Sequence, residues 1–378
     1  MKKILSLILI LIFLFNSKIY ADDVQEFKSS ILMETETGKV ISETNSDEKL
    51  KIASVTKVMT LLLVFEAIDS GRIAKTDIVT ISEHASSMGG SQVFLEPMEK
   101  QSVESLLKSV LIASANDASV ALAEFLSGSE DAFVENMNKR AKELGMLSTN
   151  YANACGLDTE NQYSTAYDVA LVSRELTLKH KDVFNYTNIW QDEIIHTTSR
   201  GEEPFGLTNT NKFIRSYDGA TGLKTGSTSE ALFCLAATAT REDLSLITVV
   251  LGANSSDIRL KETIKLMDYG FSNYKVFHSE EKDKVITKVP IEKAKISEVE
   301  LYVKDNVTTL VSKSSGEITK EAYVIENLKA PLEANTKVGE IIYKQGETVV
   351  NRVDLIVKEK IEKAGLYDNM LKLLPLWF

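Results

Sequence analysis

The tetrapeptide Ser54-Val55-Thr56-Lys57 stands directly before an apolar run, residues 58–65. A serine and a lysine three positions apart share one face of a helix, so this spacing places a hydroxyl beside an amine. The apolar run occupies every face and predicts a buried helix from Ser54 to Ile68. Burial lowers the pKa of a lysine because it disfavours the charged form, and the pair is therefore a candidate nucleophile with its own base.

The spacing alone does not identify a site, because it recurs at Ser46/Lys49, Ser105/Lys108 and Ser272/Lys275. Two downstream elements distinguish the first pair. Ser114-Ala115-Asn116 forms a predicted corner between two helices, and Lys224-Thr225-Gly226 opens a strand-like segment. A corner allows polar side chains to project into a cleft without interrupting a helix.

The three elements in this order resemble the signatures of the penicillin-recognising serine enzymes: Ser-x-x-Lys, Ser-x-Asn and Lys-Thr-Gly. From about Phe27 to the C-terminus the chain is similar to the D-alanyl-D-alanine carboxypeptidases, the low-molecular-weight penicillin-binding proteins, and among them to the sporulation-associated branch. The resemblance rests on residues 51–60, Gly89-Gly90-Ser91-Gln92, residues 114–118, Gly156-Leu157-Asp158 and residues 222–226.

This resemblance implies four catalytic residues. Ser54 would attack a peptide carbonyl and become the acyl-ester, with Lys57 as general base. Ser114 would relay a proton between Lys57 and the leaving amine, and Asn116 would hydrogen-bond the substrate amide.

The resemblance also implies a substrate-binding strand. Lys224 and Thr225 would bind a terminal carboxylate, Gly226 would let the substrate approach closely, and the backbone N–H of Ser227 would complete an oxyanion hole with that of Ser54. Arg259 is a further candidate for the carboxylate pocket, with a surface arginine as the alternative.

The implied substrates are peptidoglycan stem peptides ending in D-Ala-D-Ala, and β-lactam antibiotics would acylate the same serine. Two positions depart from the family pattern. Ser227 follows the Lys-Thr-Gly triplet where many relatives carry histidine, and Cys155 occupies a loop position where histidine is also frequent. Both departures bear on the deacylation rate and on β-lactam sensitivity.

The N-terminus predicts export. Lys2 and Lys3 precede an apolar stretch, residues 4–15, and Ala21 offers a cleavage site, so residues 1–21 form a predicted signal peptide. A retained anchor is the alternative. The protein is then secreted, or peripheral on the outer face of the cytoplasmic membrane. A net charge of −11 excludes nucleic acid as a partner.

The chain contains two cysteines, Cys155 and Cys234, which we interpret as buried free thiols. Its four histidines are scattered without metal-ligand spacing, so neither a metal site nor another cofactor is predicted.

The periodicity predicts an α+β fold. An N-terminal hairpin and a meander from Gly222 to Leu251 would form one antiparallel sheet flanked by helices, a β-lactamase/transpeptidase-like domain over residues 22–279. Residues 194–211 are predicted to be an irregular cleft rim. A charged linker, residues 280–284, leads to a small all-β domain over residues 285–357.

Residues 358–378 show helical, amphipathic spacing and end in Trp377-Phe378. Such a segment is predicted to lie on a membrane surface. The alternative is a helix that docks on its own β domain.

Three rival functions remain at this point: a serine β-lactamase, a sensor that is acylated once without turnover, and a cell-wall binding protein with a decayed site. The extra β domain argues against the first. A sensor normally needs a transmembrane link to a signalling domain, which the chain does not show after its signal peptide. The third would not need a full set of catalytic groups.

Overall fold

The computed structural model describes residues 26–373, and the predicted signal peptide at residues 1–21 lies outside this range. The helices in this part of the chain are α1 (Lys57–Asp69), α2 (Glu83–Ser86), α3 (Val103–Leu111), α4 (Asn116–Ser127), α5 (Glu130–Glu143), α6 (Ala166–Lys179), α7 (Phe184–Thr187), α8 (Phe213–Ser216), α9 (Ser256–Asn273) and α10 (Leu366–Leu373). The strands are β1 (Ser29–Glu34), β2 (Val40–Thr44), β3 (Ile78–Thr80), β4 (Lys100–Ser102), β5 (Gln191–Thr198), β6 (Gly201–Thr208), β7 (Ala220–Thr228), β8 (Leu232–Arg241), β9 (Leu244–Ala253), β10 (Tyr274–Ser279), β11 (Val285–Pro290), β12 (Glu298–Val303), β13 (Val307–Ser312), β14 (Ile318–Val324), β15 (Lys337–Gln345) and β16 (Thr348–Ile356).

A five-stranded antiparallel sheet in the order β2-β1-β9-β8-β7 lies at the centre of the first domain. The N-terminal hairpin therefore joins the later meander, as predicted. Strands β8 and β9 are buried along most of their length. One apolar core, which contains α1 and α6, covers one face of the sheet, and α9 packs on the other. The predicted α+β fold is confirmed.

Helix α1 is enclosed by the larger core, as its apolar residues on every face predicted. It begins at Lys57, not at the predicted Ser54. Ser54 lies instead in the preceding 3₁₀ turn, Ala53–Thr56, which Ala53 enters with a left-handed φ of 47°. The tighter turn changes the direction of the Ser54 side chain but keeps it next to Lys57.

The prediction that residues 194–211 are irregular is wrong for most of this segment. This region forms the two-stranded hairpin β5–β6. Nearly all of its side chains are solvated, with only Ile194 and Leu207 buried among the strand residues. Strands are recognised in a sequence by their alternating apolar residues. A hairpin that is exposed to solvent on both faces lacks this alternation, and its sequence therefore resembles that of a loop.

The second domain contains a five-stranded antiparallel sheet in the order β11-β12-β16-β15-β14, with its own apolar clusters. Strand β10 pairs with β13 along its whole length. Tyr274–Ser279, which the sequence analysis assigned to the first domain, thus pairs with the second, and we move the proposed boundary to Asn273.

The C-terminal segment is only partly helical. Ile361 and Lys363 form bridges to Leu332 and Ala294 of the β domain, and α10 begins at Leu366, not at the predicted residue 358. Within residues 26–373 there is no helix of sufficient length and apolar character to cross a membrane. The predicted segment beyond residue 373 lies outside the described residues.

Candidate active site

Lys57 and Ser54 meet at the start of α1. Lys57 is fully buried, and its Nζ lies 2.9 Å from Ser54 Oγ, 2.6 Å from Asn116 Oδ1 and 2.7 Å from the carbonyl oxygen of Cys155. Burial lowers the pKa of Lys57 to about 8, against the opposing influence of Cys155 and Asp117. With this pKa, about one tenth of the lysine is uncharged at pH 7, and the fraction increases as the pH rises toward 8.

The three contacts of Lys57 define what its neutral form can do. An uncharged amine has two hydrogens and one lone pair. The amide oxygen of Asn116 and the carbonyl of Cys155 only accept hydrogen bonds, so they take both hydrogens. The lone pair is then left facing Ser54 Oγ, where it can accept the hydroxyl proton. This arrangement is that of a serine nucleophile with an adjacent base.

Asn116 is held on both sides of its amide group. Its Nδ2 donates to the carbonyl oxygen of Gly89 at 2.6 Å, which directs Oδ1 toward Lys57. The neighbouring Asp117 is fully buried and accepts hydrogen bonds from the backbone N–H groups of Val93 and Leu95. The bond from Asn116 to Gly89 uses one of the two hydrogens on Nδ2, and the expected donation of the other to a substrate amide stays a prediction.

Ser114 occupies the predicted corner between α3 and α4, with a left-handed φ of 63°. Its Oγ accepts a hydrogen bond from Lys224 Nζ at 2.8 Å, whereas its expected partner was Lys57. Lys224 is also buried, and burial lowers its pKa well below the ordinary value, with the charges of Lys57 and Arg259 adding to the effect. Ser114 is thus linked to the second lysine of the site.

Two glycines bring other elements against the backbone of Ser54. A Cβ on Gly226, in β7, would lie 2.7 Å from the carbonyl oxygen of Ile52 and 3.0 Å from the amide nitrogen of Ser54. A Cβ on Gly156, whose φ is +92°, would lie 2.9 Å from the same nitrogen. The sheet order makes β7 an edge strand, so the exposed Ser227 after Gly226 lies at an open sheet margin.

Thr225 and Arg259 complete the polar set around Lys224. Thr225 Oγ1 lies 2.6 Å from the hydroxyl of Thr210, which the sequence analysis did not single out. Arg259 is 8% exposed, donates to the carbonyl oxygen of Cys234 at 3.2 Å, and has no partner for Nε among the described residues. The alternative of a surface arginine is therefore wrong.

The structure also tests the predictions about cysteine. Cys155 and Cys234 are both free and buried, as predicted. Within the described part of the chain no group of His, Cys, Asp or Glu side chains has the arrangement of a metal site.

A hydroxyl beside a base, a second buried lysine and an open sheet edge form a site for acyl transfer. Comparison with known proteins identifies the family of the chain. The family model for D-alanyl-D-alanine carboxypeptidase matches residues 17–255, and that for the C-terminal domain of penicillin-binding protein 5 matches residues 271–363. The chain belongs to the D-alanyl-D-alanine carboxypeptidases. It is a serine-type peptidase, and the predicted family and activity are confirmed.

Full-length relatives agree with this placement. The chain is 39% identical to D-alanyl-D-alanine carboxypeptidase DacF of Bacillus subtilis, over 100% of this chain and 99% of the relative. It is 34% identical to DacC of Escherichia coli over 90% of this chain and 85% of that protein. Penicillin-binding protein 5 from Haemophilus influenzae superposes with a TM-score of 0.79 at 30% identity, covering 89% of this chain and 98% of that chain.

The roles of individual residues were predicted less completely than the family. The structure brings Ser54, Lys57 and Asn116 into direct contact, and joins Ser114 to Lys224. Sequence reasoning missed the carbonyl of Cys155, which any residue type could supply, and the hydroxyl of Thr210, which lies outside the three signatures.

Proposed function

We propose that this carboxypeptidase removes the terminal D-alanine from peptidoglycan stem peptides through an acyl-enzyme on Ser54. The observation that carries the proposal is the set of contacts at Lys57 Nζ. Two pure acceptors and one hydroxyl surround the amine, which leaves its lone pair for the proton of Ser54.

Acylation begins when Lys57 accepts the proton of Ser54 and Oγ attacks the carbonyl carbon of the penultimate D-alanine. The backbone N–H groups of Ser54 and Ser227 stabilise the oxyanion, each contributing about 3 kcal/mol to the barrier reduction. Gly226 supports this geometry, because the absence of a side chain lets β7 lie against the backbone of Ser54.

The leaving amine must gain a proton before D-alanine departs. The hydroxyl of Ser114, which is bonded to Lys224, is proposed to relay to this amine the proton that Lys57 took from Ser54. Water then attacks the ester with Lys57 acting again as base, and the shortened peptide leaves. Asn116 fixes the direction of the Lys57 amine throughout, through its bond to Gly89.

The terminal carboxylate is proposed to bind beside Lys224 and Thr225, where the buried guanidinium of Arg259 adds positive charge. Lys224 and Arg259 are both buried, and neither forms an ion pair with a carboxylate within the described residues, which favours an anionic ligand beside them. A carboxylate near Lys224 favours its charged form, which in turn disfavours a second ammonium on Lys57. β-Lactams present an amide and a carboxylate in the same relation and would acylate Ser54.

The enzyme is proposed to act outside the cytoplasmic membrane after cleavage at Ala21, either secreted or peripheral. The described part of the C-terminal segment supports a membrane-surface contact through exposed Leu366, Tyr367 and Met370 on α10. Membership of the sporulation-associated branch stays a prediction, which expression during sporulation and not during vegetative growth would support.

The test uses the protein without residues 1–21 and a peptide ending in D-Ala-D-Ala, with penicillin hydrolysis followed in parallel. We expect continuous D-alanine release that is abolished in Ser54→Ala, while that variant still binds penicillin non-covalently. Rapid penicillin turnover without peptide cleavage would identify a β-lactamase. Stable acylation with turnover of neither substrate would identify a sensor.

A further inference from the structure

Thr210 places a hydroxyl at the mouth of the cleft, directly against Thr225. The two Oγ1 atoms lie 2.6 Å apart, a short distance for a bond between hydroxyls. Thr225 is 6% exposed, whereas Thr210 is exposed. The outer hydroxyl therefore faces the solvent side of the site and the inner one lies on the substrate-binding strand β7.

The backbone around Thr210 is fixed by its two neighbours. Asn209 and Asn211 are buried, at 5% and 2% exposure. Asn209 Nδ2 donates to the carbonyl oxygen of Ile189 at 2.8 Å, and its Oδ1 accepts from the backbone N–H of Asn211 at 2.8 Å. Asn211 Oδ1 in turn accepts from the N–H of Phe213. Thr210 is thus an exposed side chain between two buried anchors.

A backbone hydrogen bond also connects Thr210 with the α3–α4 corner that carries Ser114. Its backbone N–H donates to the carbonyl oxygen of Ile112, two residues before Ser114, at 3.3 Å. The segment that carries Thr210 therefore connects the end of α3 with β7. A hydroxyl held in this way keeps its position when the substrate binds, which is the requirement for a group that orients another.

The number of hydrogens on the two hydroxyls limits which hydrogen bonds they can donate. Each has one hydrogen and can accept two further hydrogen bonds. If Thr225 donates to Thr210, it has no proton left for a substrate carboxylate. If Thr210 donates to Thr225, the proton of Thr225 is free. A bond to a carboxylate is stronger than one between neutral hydroxyls, so a bound carboxylate selects the second arrangement.

We propose that Thr210 is a positioning residue for substrate specificity: it donates its hydrogen bond to Thr225 Oγ1 and so directs the Thr225 proton toward the terminal carboxylate of the substrate. The inference rests on the proposed function, because it assumes that the carboxylate binds at Thr225. Its effect is confined to substrates that carry this group.

The test compares two acyl donors on the purified protein. One is a peptide ending in D-Ala-D-Ala, and the other is an acyl-D-alanyl thioester whose leaving group lacks a carboxylate. In Thr210→Val we expect KM for the peptide to rise about fivefold, with kcat within twofold, as for the loss of one supporting hydrogen bond. The peptide-to-thioester ratio of kcat/KM should fall by the same factor.

Two variants provide the controls. Thr210→Ser keeps the hydroxyl and should restore the KM for the peptide. Thr208→Val makes the same chemical change two residues away, at an exposed position of β6 for which the described residues show no side-chain hydrogen bond, and should leave the ratio unchanged. An equal loss on both substrates in Thr210→Val, or failure of Thr210→Ser to restore KM, would overturn the proposal.

Thr225→Val separates this inference from the proposed function. Thr225→Val could lower kcat/KM for the peptide alone while Thr210→Val behaves as wild type. In that case the carboxylate binds at Thr225 as proposed, and the role assigned to Thr210 is wrong. If Thr225→Val affects peptide and thioester equally, the carboxylate does not bind at Thr225. That result would remove the proposed carboxylate site and the inference together.

Discussion

Lys57 Nζ lies closer to Asn116 Oδ1, at 2.6 Å, than to Ser54 Oγ, at 2.9 Å. The strongest restraint on the base is therefore a neutral amide and not the nucleophile that it serves. A neutral acceptor orients the amine without adding the negative charge that would keep it protonated.

Asn116→Asp tests this restraint. A carboxylate at the same distance stabilises the ammonium form and should raise the pKa of Lys57 by about one to three units. We expect acylation of Ser54 by penicillin at pH 7 to slow at least tenfold and to recover at higher pH. The measurement is the pH dependence of the second-order acylation rate. Asn136→Asp makes the same change at an exposed position and is the control. If the pH profile of Asn116→Asp superposed on that of the wild type, Asn116 would not control the protonation of Lys57.

The wild-type pH profile follows from the pKa of Lys57, which burial lowers to about 8. The base acts when unprotonated, so acylation should rise about tenfold per pH unit below this value and level off above it. The charges of Lys57 and Lys224 disfavour each other. In Lys224→Met this coupling is lost, so Lys57 should hold its proton more firmly and the midpoint should move to higher pH. A midpoint that does not move in the variant would show that the two lysines are electrostatically independent.

Gly226→Ala should impair acylation without unfolding the protein. The added Cβ would meet the backbone of Ile52 and Ser54 at 2.7 and 3.0 Å, and β7 must shift away from the nucleophile. Displacement of one oxyanion donor costs about 10² to 10³ in rate. Gly206→Ala in β6 is the matched control, because nothing lies within 4 Å of its Cβ. Wild-type kinetics in Gly226→Ala would show that acylation does not depend on the close approach of β7 to the backbone of Ser54.

Arg259→Met should separate stability from activity. The guanidinium is buried with a single protein hydrogen bond, to Cys234, and its Nε has no partner within the described chain. Replacing it with an apolar side chain relieves desolvation, so we expect the free energy of unfolding to stay within about 1 kcal/mol of wild type or to increase. The kcat/KM for the peptide should fall at least tenfold. A lower urea midpoint with unchanged kinetics would assign Arg259 a structural role.

The sequence was sufficient for the parts of the fold that follow from apolar periodicity. The buried helix after Lys57 and the sheet strands around residues 231–251 contain long apolar runs, and both were predicted. The hairpin β5–β6 was missed because it buries almost nothing. The placement of β10 was missed because pairing partners, unlike strands, leave no local pattern.

At the active site, the motif residues were predictable but their pairings were not. Ser114 was expected beside Lys57 and instead contacts Lys224, 110 positions along the chain. Such a choice depends on where the edge strand β7 lies relative to the α3–α4 corner, which is a tertiary property. The carbonyl of Cys155 illustrates the same limit, since a backbone oxygen carries no residue-type signal.

The backbone of Ser54 is enclosed by Gly156 and Gly226, which follow it by roughly 100 and 170 positions in the chain. The reactive serine is therefore assembled by contacts of long sequence separation, which form late because their loop-closure entropy is high. A partly folded chain can carry all three signature motifs and still lack a reactive hydroxyl. Covalent labelling with a fluorescent penicillin would therefore count only the completely folded molecules in a preparation.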